Sequence, residues 1–179
     1  METQRLYFRK PQETDADFIF SLVNDPSWIQ YIGDRKVHNK DDAVRFISES
    51  LNAQQSDERL GLRVCCIKND ILQPDNENKD TPVGLCGLLQ RDYLDSIDIG
   101  YAFSKEYRGF GFAFEAACYF KELAFNDMAV DKLYATVFYA NKKSISLLEK
   151  LGFKFLGGLV ENNVESSSTA LYVCYEAED

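Results

Sequence analysis

Three features of this sequence have the residue types and spacing for chemistry. The first is Ser104-Lys105-Glu106-Tyr107-Arg108-Gly109-Phe110-Gly111-Phe112, which joins a strand-like run ending at Phe103 to a helix-like run opening at Ala113. Strand, glycine-bearing loop and helix in that order form an anion-binding geometry. The first helical N–H groups point back at the loop, the macrodipole adds partial positive charge, and glycine lets the backbone close on a phosphate without an intervening Cβ. Gly109 and Gly111 suit a plain tight turn equally well, and Arg108 suits either a direct phosphate contact or a solvated loop cation. The second feature is Asp98, a carboxylate in an otherwise apolar strand whose alternation places it on the face of Ser96 and Gly100. It fits a general base, or a strand carboxylate paired with a neighbour. The third is Ser144, three residues before Leu147, four before Leu148 and seven before Leu151, so that a hydroxyl shares their apolar helical face. It needs a partner there, either a ligand atom or the carbonyl of the preceding turn.

These residues require a scaffold, and the pattern of the chain supplies one. Leu6 to Arg9 reads as a strand, and Thr14 can cap a helix from Asp15 to about Asn24 with Phe18, Ile19, Leu22 and Val23 as its stripe. A cluster of Trp28, Ile29, Tyr31 and Ile32 follows Pro26, and Asp41 opens a further helix through Leu51. Leu60 to Lys68, Val83 to Gln90, Ser96 to Phe103 and Lys132 to Phe138 read as strands, with two more from Phe153 to about Tyr175. The polar, proline-bounded stretch Asp70 to Pro82 reads as a loop. Ala113 to Asn126 and Lys142 to Leu151 read as helices, and Asn141 stands where a helix N-cap belongs. Early helices followed by alternating strands and helices predict an α/β fold on a mixed sheet.

Composition narrows the function classes. The chain has 179 residues and 45% hydrophobic content, which predicts a single domain over residues 1–179 with a real core. The formal charge of −9 argues against a nucleic-acid partner, which needs clustered cations, and suits either a cationic partner or the plain solubility of an acidic protein. No basic start with an apolar stretch resembles a signal peptide, and no run would span a bilayer, so the expectation is a cytoplasmic protein with no membrane partner. Five cysteines, Cys65, Cys66, Cys86, Cys118 and Cys174, show neither CxxC pairs nor zinc-site spacing, and a lone histidine, His38, leaves little material for a catalytic triad. The cysteines read as buried thiols and no metal is expected. A P-loop would need Gly-Lys-Ser/Thr at the helix start and a dinucleotide fold would need GxGxxG with a downstream acid; neither is present.

The pattern that does fit is RxxGxA at Arg108, Gly111 and Ala113, preceded by Asp98-Ile99-Gly100-Tyr101 and followed by Asn141-x-x-Ser144-x-x-Leu147-Leu148-Glu149-Lys150-Leu151-Gly152-Phe153. It resembles the GCN5-related N-acetyltransferase (GNAT) superfamily. The phrases IGYAFSKEYRGFGFAFEA and NKKSISLLEKLGF, with the early helices, are similar to its RimJ/RimL-like branch, which acetylates ribosomal-protein amino termini. The resemblance implies a mixed, centrally splayed seven-stranded sheet flanked by helices, with acetyl-CoA as cosubstrate in the gap. The backbone of Tyr101, Ala102 and Phe103 would hold the pantetheine arm, and the amides of Arg108, Gly109, Phe110, Gly111, Phe112 and Ala113 the pyrophosphate. Asp98, one methylene shorter than the glutamate often found there, would act as a base through a bridging water. Ser144 would hydrogen-bond the leaving thiolate. Asn141 would contact the cofactor or cap its helix, and Trp28, Tyr31 and Arg35 would belong to one wall of the acceptor site or to the core.

The resemblance also implies direct transfer to an amine, with no acetyl-enzyme. Many members carry a tyrosine general acid seven residues after the asparagine, and here that position is Leu148. The implied acceptor is the amino terminus of a protein or peptide, a basic one by the charge of the chain, and the chain itself is expected as a monomer or a homodimer. A polyamine, amino sugar or antibiotic is the small-amine alternative, and an acyl-CoA-binding sensor without catalysis the other.

Overall fold

A computed structural model describes residues 1–53, 57–68, 81–161 and 164–176. Its seven strands are β1 (Leu6–Arg9), β2 (Gly61–Ile67), β3 (Thr81–Leu89), β4 (Asp98–Phe103), β5 (Lys132–Phe138), β6 (Lys154–Glu161) and β7 (Val164–Tyr175). They form one sheet in the order β1-β2-β3-β4-β5-β7-β6. Every neighbouring pair is antiparallel except β4 and β5, which are parallel. The helices are α1 (Ala16–Val23), α2 (Pro26–Tyr31), α3 (Lys40–Phe46), α4 (Phe112–Glu122) and α5 (Lys142–Lys150).

Strand alternation divides the apolar side chains between two cores. One face of the sheet gives Leu6, Phe8, Ile97, Ile99, Phe103, Leu133, Ala135 and Val137 to a core closed by Phe120 of α4 and Leu148 of α5. Phe120 is fully buried and meets Phe8 with ring centroids 5.0 Å apart. Truncating such a ring costs about 3 to 5 kcal/mol. The other face gives Val64, Cys66 and Leu85 to a core under α1 and α3, with Ile19, Leu22, Trp28 and Ile47. Odd residues of β4 therefore face α4 and α5, and even ones face α1 to α3.

Several boundaries differ from the sequence reading for local reasons. Thr14 lies inside a 3-10 turn, Glu13–Asp15, and the side chain that organises this helix start is Asp15, which accepts the Gln12 N–H and pairs with Arg9 at 2.7 Å. Asn39, not Asp41, caps α3 by accepting from the Asp42 N–H. Ser96 precedes β4 and donates to the Lys132 carbonyl at 2.8 Å. α4 starts one residue early, at Phe112, and continues as a π-helical turn over Leu123–Asp127, so the helical stretch reaches the expected end. Most of the stretch read as a loop, residues 70–80, lies outside the described residues, but Pro82 belongs to β3. It faces Cys66 where the β2 ladder shifts register, a position that tolerates a residue with no N–H to donate.

Candidate functional site

The centre of the sheet is open. β4 pairs with β3 at six positions, from Gly84↔Phe103 to Leu89↔Asp98. Toward β5 its register holds one pair, Asp98↔Tyr134, supported by the Tyr134 N–H to Ile97 carbonyl bond at 3.0 Å. Beyond that pair the strands diverge, and Gly100 to Phe103 have no strand partner on that edge among the described residues. Backbone polar groups in a sheet interior are almost always satisfied, so an inner edge left open is a place where another extended, amide-bearing molecule completes the ladder.

The open end of β4 leads into the glycine loop. Lys105–Tyr107 make a 3-10 turn, Arg108 is extended, and Gly109 and Gly111 have φ of 87° and 83°. That left-handed region favours glycine, and a Cβ on Gly111 would come 3.2 Å from Arg5 Nη2. The first i to i−4 bond of α4 runs from Glu115 N–H to Gly111 carbonyl, so the amides before Glu115 carry no intrahelical acceptor. Two cations shape this turn without spending those amides. Arg108 Nε donates to the Phe103 carbonyl at 2.8 Å and Nη2 to Asp25 at 3.1 Å, so its side chain ties the loop to the N-cap of α2. Arg5 donates to the Phe110 carbonyl at 2.9 Å, pairs with Glu115 at 2.6 Å and lies 4.7 Å over the Phe112 ring. Burial pushes the Glu115 carboxyl up, but hydrogen bonds from Thr3 and Arg5 outweigh it and hold it below its usual range. Ala113 is half-buried and Phe110 stands in solvent.

Asp98 is 1% exposed and lies on the α1 to α3 side of β4. Arg91 Nε donates to it at 3.1 Å. Burial pushes the Asp98 carboxyl above the ordinary carboxylate range, and Arg91 opposes that shift without cancelling it. A carboxylate so placed is a stronger base than an exposed aspartate. Arg35 is exposed, and its guanidinium is held below its usual value first by partial burial and then by the charge of Arg91, so it belongs to the same electrostatic neighbourhood. Tyr31 is half-buried on α2. Trp28 is 5% exposed and packs in the core under α1 and α3, where its indole N–H is buried without a hydrogen-bond partner among the described residues.

Across the strand, Tyr101 points toward α5. Its phenol oxygen lies 2.8 Å from Ser144 Oγ and 3.3 Å from the Ser144 carbonyl. Asn141 caps α5 by accepting from the Ser144 N–H at 3.2 Å. Leu148 is 1% exposed, a core residue with nothing to donate. The chain therefore brings Asp98 and Ser144 to opposite faces of one strand, next to the opening. It keeps Trp28 in the apolar interior. Sequence reasoning missed the side chains of Arg5, Asp25, Arg91 and Glu115 and the phenol of Tyr101. The available signal was weak: an acid in a helix first turn and an aromatic in a strand. Cys65 and Cys86 are buried and burial pushes both thiols up, which leaves them unsuited as nucleophiles.

A family model described as an acetyltransferase (GNAT) domain matches residues 5–154. The uncharacterised N-acetyltransferase YoaA of Bacillus subtilis (strain 168) is 27% identical over 159 residues, covering 89% of this chain and 85% of its own. A GNAT-family acetyltransferase from Bacillus anthracis superposes with a TM-score of 0.74 at 20% identity, over 98% of this chain and 97% of that one. The spermidine N-acetyltransferase from Vibrio cholerae, solved in complex with CoA and spermine, has a TM-score of 0.71 at 21% identity, over 97% and 96%.

Proposed function

Because the chain belongs to the GNAT acetyltransferase family, and is thus an N-acetyltransferase that uses acetyl-CoA, we propose that its acceptor is the α-amine of a protein or peptide, as in the RimJ/RimL-like branch. The observation that carries the site assignment is the open inner edge of β4 running into the free amides at the start of α4. Gly100 to Phe103 pair with the amides of the pantetheine arm, and the amides of Gly109 to Ala113 receive the pyrophosphate. Arg108 acts by tying the loop in place, since its guanidinium is shared between Phe103 and Asp25 and its N–H already donates to the Lys105 carbonyl at 3.4 Å. The chain works as one domain.

Asp98, through a bridging water, removes a proton from the ammonium or the attacking amine on the α1 to α3 face. The amine nitrogen forms a bond to the thioester carbonyl carbon, the carbon–sulfur bond breaks with its electron pair on sulfur, and Ser144 donates a hydrogen bond to that thiolate from the α5 side. Opposite placement of base and leaving-group donor suits this geometry. Asn141 acts through its cap on α5, holding Ser144 in place.

The net charge of −9 attracts cationic acceptors in general. Beside Asp98, however, Arg91 and Arg35 add two local cations, which repel a polyamine and tolerate the carbonyl-rich backbone of a peptide. Tyr31 and Arg35 line that approach. Free thiol released from acetyl-CoA is the test. Peptides with a free amino terminus should accelerate release, whereas the same peptides blocked at the terminus, and spermidine, should not. Acceleration by spermidine alone would overturn the peptide reading, and tight CoA binding with no acceptor-dependent release would favour a sensor.

A further inference from the structure

The leaving-group side of the site contains a device that the proposed roles leave unused. Leu148 supplies no proton donor, and Ser144 alone is a freely rotating hydroxyl whose hydrogen can point anywhere its neighbours allow. Resting on the reading that Ser144 faces the CoA sulfur, we infer that Tyr101 is the positioning residue of the leaving group: its phenol O–H donates to Ser144 Oγ and thereby leaves the serine hydrogen directed at the sulfur.

The geometry and the chemistry of the two hydroxyls argue for this direction. The contact between Tyr101 and Ser144 Oγ is 2.8 Å, within the usual range for O–H···O, while the approach to the Ser144 carbonyl is longer at 3.3 Å. A phenol is the more acidic hydroxyl and the better donor; an alkyl hydroxyl is the better acceptor. With Tyr101 donating, Ser144 spends a lone pair and keeps its hydrogen. With the order reversed, the serine hydrogen would be consumed by the phenol and the thiolate would receive none. Both ends are held: Tyr101 packs against the α4 and α5 core, and Asn141 fixes the first turn of α5 through the Ser144 amide. Burial pushes the Tyr101 phenol well above its usual value, and the bond to Ser144 only partly offsets this. Tyr101 therefore keeps its proton through the cycle. As the carbon–sulfur bond breaks, the electron pair goes to sulfur, the Ser144 O–H bonds to it, and solvent delivers the proton that ends on the thiol.

Steady-state kinetics on Tyr101→Phe, Ser144→Ala and the double variant test the inference. Tyr101→Phe should lower kcat by about tenfold, in keeping with the loss of one buried hydrogen bond, with KM for acetyl-CoA little changed. In the Ser144→Ala background the same change should cost nothing further, because the hydroxyl it orients is gone. 3-Fluorotyrosine at position 101 keeps the hydroxyl and the packing, so it should recover kcat lost in the phenylalanine variant and also controls for misfolding. Equal losses in both backgrounds, or a 3-fluorotyrosine protein as slow as Tyr101→Phe, would overturn the inference. Full kcat in Tyr101→Phe with a slow Ser144→Ala would overturn it while leaving the Ser144 reading intact. Full kcat in Ser144→Ala would instead remove Ser144 from the sulfur, and this inference with it.

Discussion

The two edges of β4 are built from the same residues yet end differently. Toward β3 the strand is laddered at six positions; toward β5 it is joined at one, Asp98↔Tyr134. The side chains do not explain the difference. Ile97, Ile99 and Phe103 share a buried core with Leu133, Ala135 and Val137 of β5, so apolar contact bridges the opening even where backbone pairing stops. The gap is therefore a backbone feature inside a well-packed molecule. Packing energy holds the two halves together and leaves a slot of amides and carbonyls for a ligand to complete.

If the opening is a functional slot, damage beside it should appear in rate and ligand affinity; if it is a packing defect, the damage should appear as lost stability. The largest effect is expected at Asp98. Asp98→Asn should lower kcat by about 10²-fold, the typical worth of a general base, with the melting temperature nearly unchanged. A normal rate would make Asp98 a structural partner of Arg91. Next, Gly111→Val places a side chain at φ 83°, at a cost of about 1 to 2 kcal/mol, and should weaken CoA binding about tenfold by calorimetry. Intact CoA affinity would reduce the loop to a turn.

Arg91→Met should act on pH dependence more than on maximal rate. Burial raises the Asp98 carboxyl and Arg91 lowers it, so removing the cation lets it rise further. The base is active when ionised, hence the acidic limb of the kcat/KM profile should move to higher pH, and an unmoved limb would assign that limb to another group. The smallest effect is expected at Arg5→Ala, on the closed side of the loop. Its partly buried pair with Glu115 should contribute about 1 kcal/mol to stability in urea unfolding, with kcat preserved.

Much of this architecture was legible in the chain. Leu6–Arg9 and Lys132–Phe138 are strands as alternation predicts, and the seven strands and splayed centre match the fold implied by the resemblance. The glycine loop stood out because two positive-φ positions before a helix need a particular residue type. What stayed hidden are pairings between distant parts of the chain. Arg108 reaches Asp25, Arg5 reaches Glu115, and Tyr101 reaches Ser144, each across a sequence gap that no periodicity encodes. Trp28 shows the converse. An aromatic on an amphipathic helix looks the same in sequence whether it lines a pocket or the core, and only the packing of α1 and α3 around it places it inside.

Amide hydrogen exchange with and without CoA tests the central claim most directly, because the claim concerns backbone groups. CoA should slow exchange at Gly100 to Phe103 and at the amides from Gly109 to Phe114, while the β3-facing ladder, already bonded, changes little. Protection confined to other segments, or none at saturating CoA, would contradict the account.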